Sequence, residues 1–524
     1  MPDTLLRMQT TPADAAPDIA APGDQATPAP NSEGAGKPVP KRTVLAGALV
    51  CMLLAALDQN IVNAALPRMV SDLGGMAHLS WVVTAFMLSS TVTTPVYGTL
   101  SDTYGRRRLF LVSIVLFLAG SLLCGTANSM VQLILFRALQ GLGAGGLLVL
   151  AQASVGDVVA PRDRPRYQGL FTGTFALASV AGPLLGGIIT STLSWRWVFY
   201  VNLPLGAVAL LFIGFGLRTP RAARPRPLDL AGAALMAAGT AALLLLLTWG
   251  GVQFPWASAA TVSMAALVLA LAAAFLWRET RTEAPLIRLG LFRNPVFARG
   301  VAVSGMMTFA MLGSTVFLPL FFQLVLGMDP AHAGLMMLPQ VGCMVLSSVL
   351  GGRAAARLGR NKAFLMAGLL LEAVALCALA LLAWTAAPAP MFLFALGALG
   401  LGMGMGMPNL TTAVQNAVAQ KELGAATGAM TFVRSLGSAV GVAASGAILS
   451  ARLAGPVDVE GLTRGGANAI ANLSPEQHAQ LAGVYRHALT GCFTLSAVVM
   501  TAAFLLVLGL PEQVLRDRVE EKTA

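Results

Sequence analysis

Apolar runs of about twenty residues recur from Thr43 to Gly509, separated by short polar stretches, and each is long enough to cross a hydrocarbon core of ~30 Å as a helix. Lipid offers no partner for backbone N–H and C=O groups, so runs of this kind must satisfy them internally. The runs fall near 43–66, 79–100, 108–127, 130–155, 167–191, 197–217, 229–249, 257–277, 296–324, 333–352, 362–384, 390–418, 424–450 and 488–509, which predicts fourteen transmembrane helices. With 56% hydrophobic and only 11% charged residues, the 524-residue chain lacks the charged surface a water-soluble protein of this size would need. Its 55 glycines fit a membrane bundle, where small residues let helix backbones approach closely. Cys51, Cys124, Cys343, Cys377 and Cys492 all lie within the runs, away from loops where a disulfide or metal site could form, and are expected to be small buried hydrophobes.

The net charge of +11 is a topology signal, because the basic residues sit in small clusters between apolar runs. Fourteen spans put both termini on one side. Placing them in the cytoplasm assigns 26 of the 34 Lys and Arg residues to that face and 5 to the other, with Arg137, Arg299 and Arg434 inside spans. Residues 1–42, rich in Ala, Pro, Asp and Thr, are expected to form a disordered cytoplasmic tail, and residues 510–524 a second tail.

The chain also repeats itself. Gly98-Thr-Leu-Ser-Asp102-Thr-Tyr-Gly105-Arg106-Arg-Arg108 follows the second span, and Gly352-Arg-Ala-Ala-Ala356-Arg-Leu-Gly359-Arg360-Asn-Lys362 follows the tenth, 254 residues later. Two six-helix halves, 43–217 and 296–509, with two further helices in 218–295, account for that separation. Asp102 and the arginines beside it can pair with each other, with helix ends, or with Asp157 at the base of span four. In the copy the acid is replaced by Ala356, so its arginines lack that carboxylate partner.

Four more segments stand out. Span four contains Leu133-Ile-Leu-Phe-Arg137-Ala-Leu-Gln140-Gly141, with an arginine well inside an apolar run. Span five contains Gly173-Thr-Phe-Ala-Leu-Ala178-Ser-Val-Ala-Gly182-Pro183-Leu-Leu-Gly186-Gly187, in which Ala178, Gly182 and Gly186 recur every fourth residue and make one smooth face. Leu57-Asp58-Gln59-Asn60-Ile61-Val62-Asn63-Ala64-Ala65-Leu66-Pro67 ends span one, and Trp195-Arg196-Trp197-Val198-Phe199-Tyr200-Val201-Asn202-Leu203-Pro204 opens span six. On these motifs, over about 43–509, the chain resembles the major facilitator superfamily, and within it the fourteen-helix drug:proton antiporters of multidrug efflux. The resemblance implies an all-α polytopic fold of two six-helix halves plus two central helices. It also implies a conformational latch at Gly98, Asp102, Gly105, Arg106 and Asp157, and an antiporter motif at Gly173, Gly182, Pro183, Gly186 and Gly187.

Ionisable residues inside a membrane are costly and are functional candidates by default. Asp58, about two-thirds through the first span, is the leading candidate to bind and release a proton, with Arg137 supplying the neighbouring field. Glu372, about 15 Å deep from the cytoplasmic face at the helical rise, is a second proton-coupling candidate or a partner for Arg434. Asn63, Gln340, Asn409 and Arg434 are candidates to line a substrate cavity. The run Gly400-Leu-Gly402-Met-Gly404-Met-Gly406-Met-Pro408 reads either as a surface that repacks around apolar ligands or as a deformable helix with ordinary Met packing. A Gly-x-x-x-x-Gly-Lys-[Ser/Thr] phosphate loop and a His-Glu-x-x-His zinc site are both missing from the sequence, so neither an ATP-driven pump nor an enzyme is expected. No cofactor or metal is expected beyond the proton motive force. The expected function is proton-coupled export of small amphipathic compounds across a bacterial inner membrane, with a periplasmic adaptor and outer-membrane channel as candidate partners. An importer or facilitator of a polar metabolite is the alternative on the same fold.

Overall fold

The computed structural model describes residues 41–74, 78–217, 229–251, 253–453 and 475–512. Most of both expected tails, the loop arginines Arg218, Arg221, Arg224 and Arg226, and Arg464 lie outside the described residues. Within them the chain forms α1 (Lys41–Leu73), α2 (Leu79–Tyr104), α3 (Arg106–Gly125), α4 (Met130–Val158), α5 (Arg164–Thr192), α6 (Trp197–Gly216) and the linker pair α7 (Leu230–Trp249) and α8 (Ala259–Glu279). Then follow α9 (Pro295–Leu324), α10 (His332–Leu358), α11 (Lys362–Trp384), α12 (Ala389–Asn416), α13 (Leu423–Leu453) and α14 (Pro475–Leu508). Among the described residues thirteen of these are long and apolar enough to cross a membrane. The other is α2, which has the length at 26 residues but is rich in Ser and Thr. Several of its hydroxyls bond back within the helix, Ser89 donating to the Ala85 carbonyl at 2.8 Å and Thr94 to that of Ser90 at 2.8 Å, which lowers the cost of placing them inside a bundle.

Helix ends follow local chemistry. Ser129, Asp229, Ser258 and Asn294 each accept a backbone N–H in the first turn of α4, α7, α8 and α9. Gly105 and Gly359, equivalent positions in the two repeats, have φ of 89° and 67°. A side chain would be strained in either, which explains a glycine at both turns.

The repeat in sequence is a repeat in packing. α1 packs on α5 and α6, and α9 on α13 and α14; α4 packs on α2 and α3, and α12 on α10 and α11. Individual contacts correspond too. Gly141 abuts Phe86 and Gly400 abuts Gln340; Gly143 abuts Phe117 and Gly402 abuts Glu372; Gly182 lies on Asn60 and Gly441 on Phe309. Between halves, α2 packs on α13 and α10 on α5. Gly98 meets the Gly424 carbonyl there, and Gly352 meets that of Pro165. The linker helices α7 and α8 pair with each other, and α8 is largely exposed.

The glycine run of α12 belongs to one unbroken helix, and its glycines are contact points: Gly400 and Gly404 receive α10, and Gly402 receives α11. Close approach, rather than backbone freedom, is what they supply. The cysteines also divide. Cys51, Cys124 and Cys492 are buried, but Cys343 is half-buried and Cys377 is exposed on α11, because position within an apolar run does not fix which face a residue takes.

Candidate functional site

Asp58 and Arg137, on α1 and α4, meet in the interior of the first half with 0% and 1% of their surfaces exposed. Arg137 Nη1 donates to Asp58 Oδ2 at 2.8 Å and to Gln140 Oε1 at 2.6 Å. The other carboxylate oxygen accepts from Gln140 Nε2 at 2.8 Å and Asn202 Nδ2 at 2.7 Å. Ser121 Oγ accepts from the same two amides at 2.7 and 3.1 Å. Arg137 Nε reaches the Val82 carbonyl at 3.3 Å, and its guanidinium lies 4.0 Å from the centre of the Phe86 ring. Five helices, α1, α2, α3, α4 and α6, thus contribute to one buried polar cluster, in which Asn202 Oδ1 alone is left without a hydrogen-bond partner. A pair like this stands only when its remaining donors and acceptors are filled, and removing one partner leaves an uncompensated buried charge costing about 3–5 kcal/mol.

The second half provides an internal control for that cluster. By the contact correspondences above, the positions matching Asp58, Ser121, Arg137 and Gln140 are Met307, Leu376, Leu396 and Leu399. All four are buried in one hydrophobic cluster. The same architecture is therefore built without the charges, so the fold does not require them.

α1 continues past the apolar run to Leu73, so Asp58 sits at its middle rather than two-thirds along. Gln140, Asn202 and Ser121 were not singled out from sequence. Gln140 lies one turn after Arg137, and Asn202 is the one amide in an otherwise apolar span, which are the available signals. Glu372 is buried on α11 but does not pair with Arg434, whose Nη2 donates instead to Thr411 Oγ1 at 2.8 Å. The Glu372 side chain rests against Gly402 through its Cγ and against Gly406 through its carboxyl, whose Oε1 has no hydrogen-bond partner.

The four cavity candidates are not brought together. Asn63 is exposed on α1, and Gln340 is buried with its amide toward Thr315 and Met403 at 3.4 and 3.5 Å. Asn409 is fully buried and turns its amide back to the Met405 carbonyl at 2.8 Å, so it does not face a cavity. Of the span-five motif, Gly182 and Gly186 pack on α1 at Asn60, Ile61 and Ala64, and Gly173 faces Ser348 and Val345 of α10. Pro183 and Gly187 point outward, with nothing near Gly187.

At the Arg-rich end the residues of the loop repeat do converge. Arg106 bonds Asp157, Asp102 at 3.1 Å and Ser101 at 2.7 Å. Asp102 in turn accepts the backbone N–H groups of Gly424 and Ala425 at 3.0 and 2.8 Å. It thereby caps α13 across the interface between halves, where a helix start favours negative charge. At the matching position in the other half the capping partners are lost together. Ala356 stands for Asp102, and Pro165, which has no N–H, stands for Gly424. A link of opposite polarity replaces them: Arg162 donates to the Ala356 and Arg357 carbonyls at the end of α10, at 3.0 and 3.1 Å. Arg164 adds a bond to Asn416 at 2.6 Å. These two ties join the halves at this end, beside the bonds that Gln420 Nε2 donates to the Gly156 carbonyl and Asp157 at 3.0 and 3.1 Å.

Each tie has a measurable consequence. In a background with the native cysteines replaced by Ala, Asp102→Ala or Arg162→Ala is expected to speed labelling of Ser348→Cys, a buried site on α10, by roughly tenfold, the effect of losing a cap and its ionic bonds. Unchanged labelling rates would mean that these bonds do not hold the end shut.

A two-fold bundle of membrane helices, tied across one end and carrying, among the described residues, a fully buried ion pair in the first half and none in the second, has the architecture of a secondary transporter. The family model described as Major Facilitator Superfamily matches residues 48–442, and the chain belongs to that family. It is 36% identical over 413 residues to the multidrug transporter protein MdtP of Bacillus subtilis (strain 168), covering 79% of this chain and 76% of that one. Multidrug resistance protein 3 of the same organism is 37% identical over 309 residues, 59% of this chain and 60% of its own length. Among solved structures, the human organic anion transporter MFSD10 (TETRAN) superposes with a TM-score of 0.62 at 19% identity, covering 89% of this chain and 99% of that chain, a likeness of fold.

Proposed function

We propose that this transporter is a proton-coupled antiporter that exports small amphipathic compounds by alternating access across a bacterial inner membrane, driven by the proton motive force. The observation that carries the reading is the Asp58–Arg137 cluster, whose matching positions in the second half are apolar. The names of the multidrug relatives support export. A proton arriving at Asp58 neutralises the carboxylate and deprives Arg137 of its counter-charge, so the proton favours a different arrangement of α1 and α4. Next to Asp58, Asn60 and Ile61 carry α5 through Gly182 and Gly186, and α5 carries the contact with α10 of the other half through Gly169 and Gly173. A shift of α1 thereby reaches the interface between halves, where Asp102, Arg106 and Asp157 act as the latch. Glu372 is a second proton-binding candidate, packed separately from this cluster. An adaptor and outer-membrane channel would meet the protein at segment 451–487, part of which lies outside the described residues.

Gly182→Val tests the α1–α5 contact, because the added Cβ would fall 2.5 Å from Asn60 Cβ. Transport is expected to drop to background while the protein still reaches the membrane, as read by dye efflux beside a quantitative blot. Export itself is tested in whole cells: expression lowers accumulation of a fluorescent cationic dye, and an uncoupler restores it. Dye uptake that rises on expression would point to import.

A further inference from the structure

Arg434 is a cation in the interior without a counter-ion. Its guanidinium bonds the neutral hydroxyl of Thr411, and its buried Nε has no acceptor. Among the described residues no carboxylate lies within ion-pairing distance of it. Yet an ionised group in such surroundings ordinarily has an anion or water as partner.

Its placement on α13 is equally specific. Thr427, Thr431, Arg434 and Ser438 recur at helical spacing and make one polar stripe. The other faces of α13 are taken: Gly424 and Gly428 pack on α2, Val433, Gly437 and Gly441 pack on α9, and Met430, Phe432 and Leu436 join a cluster with Met236 of α7. The stripe therefore lies on the side of α13 that those contacts leave, toward Thr411 of α12. The first half shows what the fold needs at this place. With Gly182 matching Gly441, the residue matching Arg434 is Phe175, a partly buried core residue. An arginine here is thus not a demand of packing.

We infer that Arg434, with Thr411 beside it, is the binding site for an anionic group, a carboxylate or sulfonate, on the transported molecule. Guanidinium presents paired N–H donors that match such groups, and the unfilled Nε is the donor left for one. This inference rests on the export reading for its transport consequence, but binding can be read without transport.

The probe is 1-pyrenebutyrate, an amphipathic carboxylate, with its methyl ester as the uncharged control. Both are titrated by fluorescence into purified full-length protein in lipid nanodiscs, as wild type, Arg434→Lys and Arg434→Phe, the last carrying the residue of the first half. Wild type is expected to bind the acid roughly tenfold more tightly than Arg434→Phe does, with Arg434→Lys between them and the ester insensitive to the substitution. Monodispersity and thermal unfolding of the same variants serve as the fold control. Equal binding of the acid by wild type and Arg434→Phe overturns the assignment. So does parallel loss of acid and ester binding, which would make Arg434 a structural residue. If wild type binds the acid selectively but exports neither compound, the export reading fails while the anion site stands.

Discussion

Asp58→Asn is expected to abolish proton-driven accumulation of substrate in everted vesicles, down to the level of vesicles lacking the protein, while leaving downhill exchange of substrate measurable. Asparagine keeps the size of the side chain and one acceptor for Asn202 and Gln140, but it cannot carry a removable proton and cannot balance Arg137. The variant should also melt earlier, because Arg137 is left as a buried charge held by Gln140, the Val82 carbonyl and the Phe86 and Phe199 rings without a counter-ion, a cost of about 3–5 kcal/mol. Exchange by the melted-earlier but folded variant separates the two effects: a protein that still exchanges substrate has kept its alternating movement and lost only its coupling.

The second large effect runs in the opposite direction. Asp58→Met combined with Ser121→Leu, Arg137→Leu and Gln140→Leu copies the second half into the first, and Asn202→Leu removes the amide that would otherwise be left without an acceptor. Replacing a buried ion pair and its hydrogen bonds by well-packed apolar side chains is often neutral or stabilising by about 1–4 kcal/mol. The combined variant is therefore expected to melt at or above wild type and to show no coupling, whereas Asp58→Met alone melts well below it. Thermal unfolding followed by intrinsic fluorescence reads both. A combined variant as unstable as the single one would mean that the cluster holds the bundle together, and its value as a mark of function would be lost.

Much of the fold was legible because lipid imposes one simple rule, a long apolar helix for each crossing, and because Gly98–Arg108 is copied at Gly352–Lys362. The pairing of Asp58 with Arg137 was half legible: depth in a span marks each residue, but nothing in the spacing shows that α1 and α4 face each other there. Helix rotation is the missing quantity. It hid Asn202 and Ser121, which join the pair from α6 and α3, and it placed Asn409 away from any cavity although its position in the chain looked as favourable as that of Gln340. Rotation also decided the glycine run of α12, whose alternate residues touch two different helices. The second tie between halves could not be read from the repeat motif, because its chemistry moved to another loop. Ala356 lost the acid, and Arg162, outside the repeated segment, took over by bonding the end of α10.

Proton movement measured directly is the sharpest test of the central claim that the Asp58 cluster couples substrate export to protons. Purified protein is reconstituted into proteoliposomes enclosing a pH-sensitive dye, with no ion gradient imposed, and a substrate concentration gradient is applied. Wild type is expected to move protons against the direction of substrate flow, and Asp58→Asn to move substrate with no accompanying pH change. Proton flow in the same direction as substrate, or an undiminished pH signal from Asp58→Asn, would contradict the account.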